Sequence, residues 1–305
     1  MKNLRQTLED YLAMRRNLGF KLCSDGAQLV NFVFSMERRR TSHITTRLAL
    51  EWAMKVPGRQ ASKRLTIVRE FAKYAAAFDS RTEVPAQKLL FSKAVRPRPY
   101  IYSQDEVNRL LEAAWTRHDD QPRGTYYCLF GLLAVSGLRV GEAIGLQVHD
   151  VDLTHGILSI RNTKFGKSRL VPVHSSTVNK LREYKERRDA LLGMQSATHF
   201  LVTRKGARLE HSRIYQVFKA LAVIAGIRKV VSGPGPRLHD FRHRFAVRTL
   251  IDWYRSGEDV EARLPVLSTY LGHVSVENTY WYLTEYPELM NLAVRRLNAR
   301  WGEHS

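Results

Sequence analysis

The sequence predicts a mainly helical protein with a small antiparallel β-sheet, in which an all-helical first domain precedes an α+β second domain. In the first 80 residues, apolar side chains recur at three- and four-residue steps, the spacing of helices that bury one face. A basic segment with several prolines follows. Beyond it, two short apolar runs flank a glycine-containing turn, which is typical of a β-hairpin.

Four amphipathic helices account for the first domain. Their apolar stripes lie within residues 4–14, 29–36, 48–56 and 65–72. Basic residues at 38–40 and 63–64 fall outside these stripes, where a helix presents polar side chains to solvent. We therefore expect a helical domain over residues 1–80.

Residues 81–98 are predicted to form an extended basic linker. Pro85 and Pro97 lie there among lysines and arginines. Proline lacks a backbone donor and disfavours helix at the residue before it. The second domain, residues 99–305, then opens with a helix, because Ser103 and Glu106 have the spacing of a capping box.

The second domain is predicted to combine helices with one small sheet. Apolar and β-branched runs bounded by turn residues indicate the strands, and longer apolar periodicity indicates the helices. The predicted elements are a buried helix over 128–135, strands over 157–161 and 169–173 joined through 163–167, a third strand over 200–202, and helices over 214–225 and 245–253.

Composition argues against several classes of protein. The longest apolar run, residues 128–138, is shorter than the ~18 residues that a membrane-spanning helix needs. The first residues lack the apolar core of a signal peptide. Two cysteines, Cys23 and Cys128, are too few for a disulfide framework or a four-cysteine zinc site. We therefore expect a soluble cytoplasmic protein.

The charge predicts a polyanionic partner. The 305 residues include 49 Lys+Arg and 29 Asp+Glu, a formal net charge of +20. The first 100 residues hold 20 and 8 of these, a net +12, whereas the other 205 hold 29 and 21, a net +8. A concentrated excess favours nucleic acid. The residues predicted to contact DNA are Arg38, Arg39, Arg40, Lys63, Arg64, Arg96 and Arg98.

Five short segments of the second domain together suit one reaction, attack on a phosphodiester. Arg139 and Arg242 can hold phosphate oxygens through planar donor forks and oppose the charge of the transition state. Lys164 can protonate the leaving 5′ oxygen, and His239 can take the proton of a tyrosine. Tyr282 can form a covalent phosphoester that conserves the bond energy for rejoining. This chemistry needs no metal ion.

The order of these residues, with His273 in a Leu-Gly-His segment, resembles the tyrosine recombinase (phage-integrase-like) family. The resemblance rests on the segments SGLRVGE, TKFGKSRLVPV, LHDFRHRFA and YLGHVSVENTYWYL. It implies a core-binding first domain and a catalytic second domain. The implied function is DNA strand exchange through a 3′-phosphotyrosyl intermediate, in a recombinase of a bacterial mobile element.

The resemblance also implies a role for each residue. Arg139 and Arg242 would clamp the scissile phosphate, and His273 would donate a hydrogen bond to it. Lys164 would be the general acid, His239 an assisting base and Tyr282 the nucleophile. Lys167 is an alternative to Lys164, because the sequence does not fix the register of the hairpin. Glu142 would orient Arg139. The spacing of nine residues from His273 selects Tyr282 over Tyr280 and Tyr286.

Partners follow from the same resemblance: double-stranded DNA, a homo-tetramer on the DNA synapse, and accessory or sister recombinases, without cofactor, ATP or membrane. The protein would act at the nucleoid. Two stretches stand apart. Extra residues around 253–265 lengthen the segment between Arg242 and His273 relative to the family. The tail over 287–301 has helical apolar spacing, and such a tail often docks on a neighbouring protomer in the family.

Three other interpretations stay open. His239 and His243 lie four residues apart with Asp240 between them, an Asp variant of the zinc motif of metallopeptidases. A type IB topoisomerase uses similar Arg, Lys, His and Tyr chemistry. A DNA-binding protein that no longer cleaves would need only the basic surface.

Overall fold

A computed structural model of the chain describes residues 3–90, 99–116, 124–161, 168–193, 197–229 and 235–302. The chain divides into two compact units, Met1–Pro97 and Arg98–Ser305. Within the described residues, helices dominate and a three-stranded antiparallel sheet lies in the second unit, which confirms the predicted fold class. In this part of the chain, every helix is too short or too polar to cross a membrane.

Four helices build the described part of the first unit. They are α1 (Leu4–Asn17), α2 (Cys23–Arg38), α3 (Thr46–Ala53) and α4 (Arg59–Ala76). Their apolar faces meet in one core, where Phe32, Val68 and Phe71 are fully buried. Side chains fix two of the helix starts, because Asn3 accepts a hydrogen bond from the Arg5 backbone and Thr45 from the Leu48 backbone.

The second unit holds the sheet and the remaining helices. Its described elements are α5 (Gln104–Thr116), α6 (Thr125–Ser136), α7 (Val140–Ala143), β1 (Val151–Asp152), β2 (Ile157–Ile160), β3 (Arg169–Pro172), α8 (Ser175–Leu192), α9 (His211–Ile224), α10 (Asp240–Arg255), α11 (Val260–Leu271), α12 (Glu277–Glu285) and α13 (Pro287–Gly302). The capping box at the start of α5 is present: Ser103 Oγ accepts from the Glu106 backbone, and Glu106 Oε2 accepts from the Ser103 backbone.

The sheet has the order β1-β2-β3, with each neighbour antiparallel. The pairing of Ile160 with Arg169 places the start of β3 opposite the end of β2. The third strand is therefore β1, and the prediction of a strand over residues 200–202 was wrong. Those three residues are almost fully buried, and Phe200 N donates to Leu146 O at 2.8 Å, so their apolar character reflects burial in the core of the second unit.

Two apolar clusters hold the second unit together. One joins α5, α6 and α9 to the sheet, and the other lies among α10, α11, α12 and α13. The segment around residues 253–265 is accommodated without a long loop: α10 runs to Arg255, and Asp259 caps α11 four residues later. Pro265 lies inside α11.

Two helix ends in this unit require glycine. Gly137 ends α6 with a φ of +61°, and a Cβ there would lie 2.8 Å from Phe245 Cδ1. Gly272 ends α11 with a φ of +67°, and a Cβ there would lie 2.7 Å from Arg169 Nη1. A side chain at either position would meet both backbone strain and a clash. These two turns lie at the predicted site.

Candidate active site

Arg139 precedes α7 and reaches across to the turn after α11. Its Nη1 donates to Glu142 Oε1 at 2.7 Å and its Nη2 donates to Gly272 O at 3.0 Å. About a third of the side chain remains exposed (33%). The guanidinium is thus fixed on one side and open on the other.

Glu142 anchors two arginines. Arg169 Nη1 and Nη2 donate to its two carboxylate oxygens at 3.1 and 2.8 Å, and the Arg139 backbone donates to Oε2 at 3.0 Å. Burial favours a higher pKa for Glu142, but the hydrogen bonds from Arg169 and Arg139 outweigh it and lower the pKa to about 2. The carboxylate is therefore ionised, as its predicted role of orienting Arg139 requires.

Arg242 lies in the first turn of α10 and is buried. Nη1 donates to Gly137 O at 2.9 Å and Nη2 donates to Leu271 O at 2.6 Å, so the ends of α6 and α11 hold the guanidinium plane. Burial, followed by the nearby Arg139 cation, lowers the pKa of Arg242 to about 10. The side chain remains a cation at neutral pH.

Two predicted histidines flank the arginines. His239 lies immediately before α10 and reaches the surface, yet the protein around its ring desolvates it and, with the Arg242 cation, lowers its pKa to about 4. Burial and the Arg242 and Arg139 cations lower the pKa of His273 to about 3. His273 Nδ1 lies 2.8 Å from Thr279 Oγ1. Both imidazoles are neutral at pH 7.

Tyr282 lies in α12 and is buried, with 2% of its surface exposed. Its hydroxyl lies 3.1 Å from His243 Nδ1, and its ring stacks on His273 with centroids 6.4 Å apart. The neighbouring Tyr280 is instead 49% exposed. Of these two tyrosines, Tyr282 is therefore the one held among the predicted site residues.

The structure brings together five of the predicted residues: Arg139, His239, Arg242, His273 and Tyr282. The turn at residues 271–272 links the arginines, since Leu271 O binds Arg242 and Gly272 O binds Arg139. His239 contacts the cluster through the His243 ring, and the centroids of these two rings lie 4.9 Å apart. Lys164 and its alternative Lys167 lie outside the described residues.

Sequence reasoning assigned no role in this site to Arg169, and it considered His243 only as a zinc ligand. The available signal was the spacing of His239 and His243 on one helical face. Among the residues that the structure describes, three or more His, Cys, Asp or Glu side chains do not come together in a group that could hold a metal ion.

A cavity of about 760 Å³ opens beside Arg139 and His239. Basic and polar side chains from other parts of the second unit also line it, among them Arg161, Arg208 and His211. Asp150 Oδ1 accepts a hydrogen bond from Arg161 Nε at 2.6 Å. The cavity therefore places further arginines and histidines near Arg139, together with the carboxylates of Glu142 and Asp150.

The residues predicted to contact DNA in the first unit lie near its surface. Arg38 and Arg40 are exposed, and Arg39 pairs with Glu51. Lys63 Nζ lies 3.3 Å from Asp25 Oδ1, and the Arg64 guanidinium carbon lies 4.8 Å from the centre of the Trp52 ring. Exposed ion pairs are weak enough to exchange for a phosphate. Arg96 and Arg98 lie outside the described residues.

Comparison with known proteins places this geometry in a family. Residues 101–288 match the model of the phage integrase family, and this range includes every residue predicted to be catalytic. The chain belongs to the phage integrase family. Its members include the tyrosine recombinases, which transfer DNA strands, so the predicted family and the predicted function of DNA recombination are confirmed.

Relatives extend the family match to the first unit. The integrase/recombinase y4rB of Sinorhizobium fredii is 49% identical over an alignment of 315 positions that covers all of both chains. Tyrosine recombinase XerD of Caulobacter vibrioides is 31% identical over 73% of this chain and 69% of its own.

Solved structures share the fold. The integrase of transposon Tn1549, in complex with transposon right end DNA, is 16% identical and covers 98% of this chain and 99% of its own, with a TM-score of 0.67. A lambda integrase tetramer bound to a Holliday junction is 15% identical and covers 92% of this chain and 77% of its own, with a TM-score of 0.60.

Proposed function

We propose that this integrase-family chain is a site-specific recombinase that cuts and rejoins double-stranded DNA through a covalent 3′-phosphotyrosyl bond to Tyr282. The observation that carries the proposal is the position of Tyr282, which is buried with its ring stacked on His273, next to the turn that holds Arg139 and Arg242. The nucleophile, a histidine that can donate a hydrogen bond to the phosphate, and fixed cations thus lie in one place.

The arginines supply the electrostatics of the reaction. Each is anchored to a backbone carbonyl of the 271–272 turn, so the two guanidinium planes are already held side by side at the site before a phosphate binds. A guanidinium has five N–H donors, so donors beyond those used in anchoring can meet the non-bridging oxygens. The two charges oppose the negative charge that grows in the transition state.

The remaining roles follow the family resemblance. Lys164, or Lys167, protonates the leaving 5′ oxygen, His273 donates to the phosphate and His239 assists as base. The phosphotyrosyl bond conserves the energy of the broken phosphodiester, so rejoining needs no ATP. The phosphate charge is met by side chains, so cleavage needs no metal ion.

The partner of both units is double-stranded DNA. Residues 1–80 and the linker over 81–98 bind the duplex, while residues 99–305 carry the chemistry. The concentrated +12 of the first 100 residues supports this division. We place the protein at the bacterial nucleoid, with accessory or sister recombinases as further partners.

Assembly as a tetramer is supported by α13 and by the lambda integrase tetramer on a Holliday junction. Leu289 buries the start of α13 against α10 and α12 of its own chain. Met290, Val294 and Leu297 leave 47%, 48% and 45% of their surfaces exposed. These three apolar side chains form the surface that we assign to a neighbouring protomer.

A suicide substrate tests the proposed function. Nicked duplexes that tile the DNA flanking the gene are incubated with protein in EDTA, without ATP, and covalent adducts are resolved by denaturing electrophoresis. We expect an adduct from the wild type and from Tyr280→Phe, but none from Tyr282→Phe. An adduct from Tyr282→Phe contradicts the assignment of the nucleophile. Binding without any adduct favours a DNA-binding protein, and relaxation of plasmids of unrelated sequence favours a topoisomerase.

A further inference from the structure

The group in contact with the nucleophilic oxygen is His243, one turn into α10. Its Nδ1 lies 3.1 Å from Tyr282 Oη, within hydrogen-bond range. The ring is 95% buried, and it packs edge-on against Tyr282 and Trp281 with centroids 5.5 and 5.7 Å away. Packing on two sides therefore holds the imidazole in position against the hydroxyl.

We propose that His243 takes the proton from Tyr282 when the tyrosine attacks DNA, and returns it when the strands are rejoined. This inference rests on the proposed function and refines it, because the family resemblance gives the assisting base as His239. The His239 ring packs edge-on against the His243 ring with centroids 4.9 Å apart, and it is His243 whose Nδ1 lies within hydrogen-bond distance of the hydroxyl. His243 touches a reacting atom and is therefore a catalytic residue under this proposal.

The proton and electron pairs balance in both directions. Tyr282 Oη forms a bond to phosphorus as its proton passes to His243 Nδ1, which leaves an imidazolium. The bond from phosphorus to the 5′ oxygen breaks, and that oxygen takes its electron pair and a proton from Lys164 or Lys167. In rejoining, the 5′ hydroxyl attacks the phosphotyrosine, its proton returns to the lysine, and His243 restores the proton to Oη.

The surroundings of His243 suit this exchange. Tyr282 and Trp281 face it from α12, and His239 faces it from the position immediately before α10. Beyond the tyrosine lie His273, stacked on the Tyr282 ring, and Arg242, whose cation attracts a phenolate. The proposal requires the tautomer that carries its hydrogen on Nε2, because Nδ1 must accept from the hydroxyl.

The decisive variant is His243→Asn, whose side-chain amide can occupy the place of Nδ1 and keep a hydrogen bond without taking a proton. Single-turnover cleavage of the suicide substrate is measured across pH 5 to 10. We expect cleavage at pH 7 to fall by about 100-fold or more. We also expect the rate to rise with pH toward the ionisation of tyrosine, whereas the wild-type rate levels off. His155→Gln, in the exposed turn between β1 and β2, should retain the wild-type rate and profile.

A second substrate separates the base from the acid. A sulfur atom in place of the 5′ bridging oxygen is a leaving group that needs no proton. It should restore cleavage by Lys164→Ala (or Lys167→Ala), but not by His243→Asn. The cleavage rate, DNA affinity and thermal unfolding of His243→Asn and of a second variant, His243→Gln, are measured in parallel. A folding defect is recognised by losses in all three measurements.

The outcomes distinguish this inference from the proposed function. If the wild type forms no adduct on any duplex, the proposed function fails. If the wild type cleaves and His243→Asn or His243→Gln cleaves at the same rate with the same pH profile, His243 is not the proton acceptor. Restoration of His243→Asn by the sulfur substrate also overturns the inference.

Discussion

Arg169 and Glu142 form a two-pronged ion pair in which only 8% and 7% of the respective side chains are exposed. The pair joins the start of β3 to α7, which directly follows Arg139. Arg169 Nε also donates to Tyr270 O at 2.7 Å, next to the turn that binds both catalytic arginine candidates. The buried Glu142 carboxylate therefore binds both Arg169 and Arg139, and each of these arginines also donates to a backbone carbonyl at the end of α11.

Replacing Glu142 by Gln should destabilise the protein, because Arg169 would keep its charge without its partner. The folded-state pKa near 2, against the ordinary 4.5, corresponds to about 3 kcal/mol of unfolding free energy at pH 7. A carboxyl group whose pKa is lower in the folded than in the unfolded protein stabilises the folded state fully at pH values above the unfolded-state pKa. This stabilisation is lost as the pH falls through the folded-state pKa. The difference from wild type should thus shrink to roughly half near pH 3.

Urea unfolding of the wild type and Glu142→Gln at several pH values measures this difference. Glu186→Gln, on the exposed side of α8, is the matched control and should change stability by less than about 0.5 kcal/mol. A constant difference between pH 7 and pH 3 would show that the ion pair is not the source of the loss.

Gly272→Ala should damage both stability and cleavage. The alanine Cβ would lie 2.7 Å from Arg169 Nη1 and 2.9 Å from Arg169 Cζ, at a residue with a φ of +67°. Gly257→Ala provides the control, since Gly257 has a φ of +74° but nothing within 4 Å of its Cβ position. We expect about 1 kcal/mol of lost unfolding free energy at Gly257 and ~1–3 kcal/mol more at Gly272.

Chemical denaturation gives both free energies, and single-turnover cleavage shows whether the site is disturbed. Gly257→Ala should cleave like the wild type. Equal losses for the two variants would mean that backbone strain alone acts and that Arg169 moves aside at little cost.

Neutralising two arginines of the first unit should weaken DNA binding by a purely electrostatic route. Arg38 and Arg40 are exposed. If each neutralises one phosphate, Arg38→Gln with Arg40→Gln should reduce the slope of log affinity against log salt by about 1.8. Fluorescence anisotropy over a salt series measures the slope. Lys180→Gln, in a pair with Glu183 on α8, should leave it unchanged, and an unchanged slope in the double variant would remove these arginines from the interface.

Polar substitutions on the exposed side of α13 should separate assembly from cleavage. Met290→Ser, Val294→Ser and Leu297→Ser together leave Leu289 and the core in place. We expect normal single-site binding and adduct formation, but at least a tenfold loss of recombination between two sites. Native electrophoresis of synaptic complexes checks the step that is lost. Full recombination by the triple variant would show that this surface is not used.

Local sequence signals predicted much of the fold. The capping box at Ser103 and Glu106, the pairing of β2 with β3 and the four helices of the first unit depend on residues close together in the chain. The strand prediction over 200–202 failed because full burial gives a short segment the same apolar character as a strand. Periodicity alone does not distinguish these two causes.

The site was less predictable than the fold. The order of Arg139, His239, Arg242, His273 and Tyr282 carried the family resemblance. Contacts across the fold were invisible: Arg139 meets Gly272 O, 133 residues away, and His243 meets Tyr282, 39 residues away. The i, i+4 spacing of the two histidines suggested a metal site, whereas the structure places the second histidine on the tyrosine hydroxyl.

The most direct test of the central claim is the identity of the residue that carries the DNA. The covalent adduct is trapped on the suicide substrate, digested with nuclease and protease, and mapped by tandem mass spectrometry. We predict a nucleotide linked through its 3′-phosphate to Tyr282 in the peptide from α12, and an unmodified Tyr280 in the same peptide. DNA attached to Tyr280, Tyr286 or any other residue would contradict the proposed mechanism.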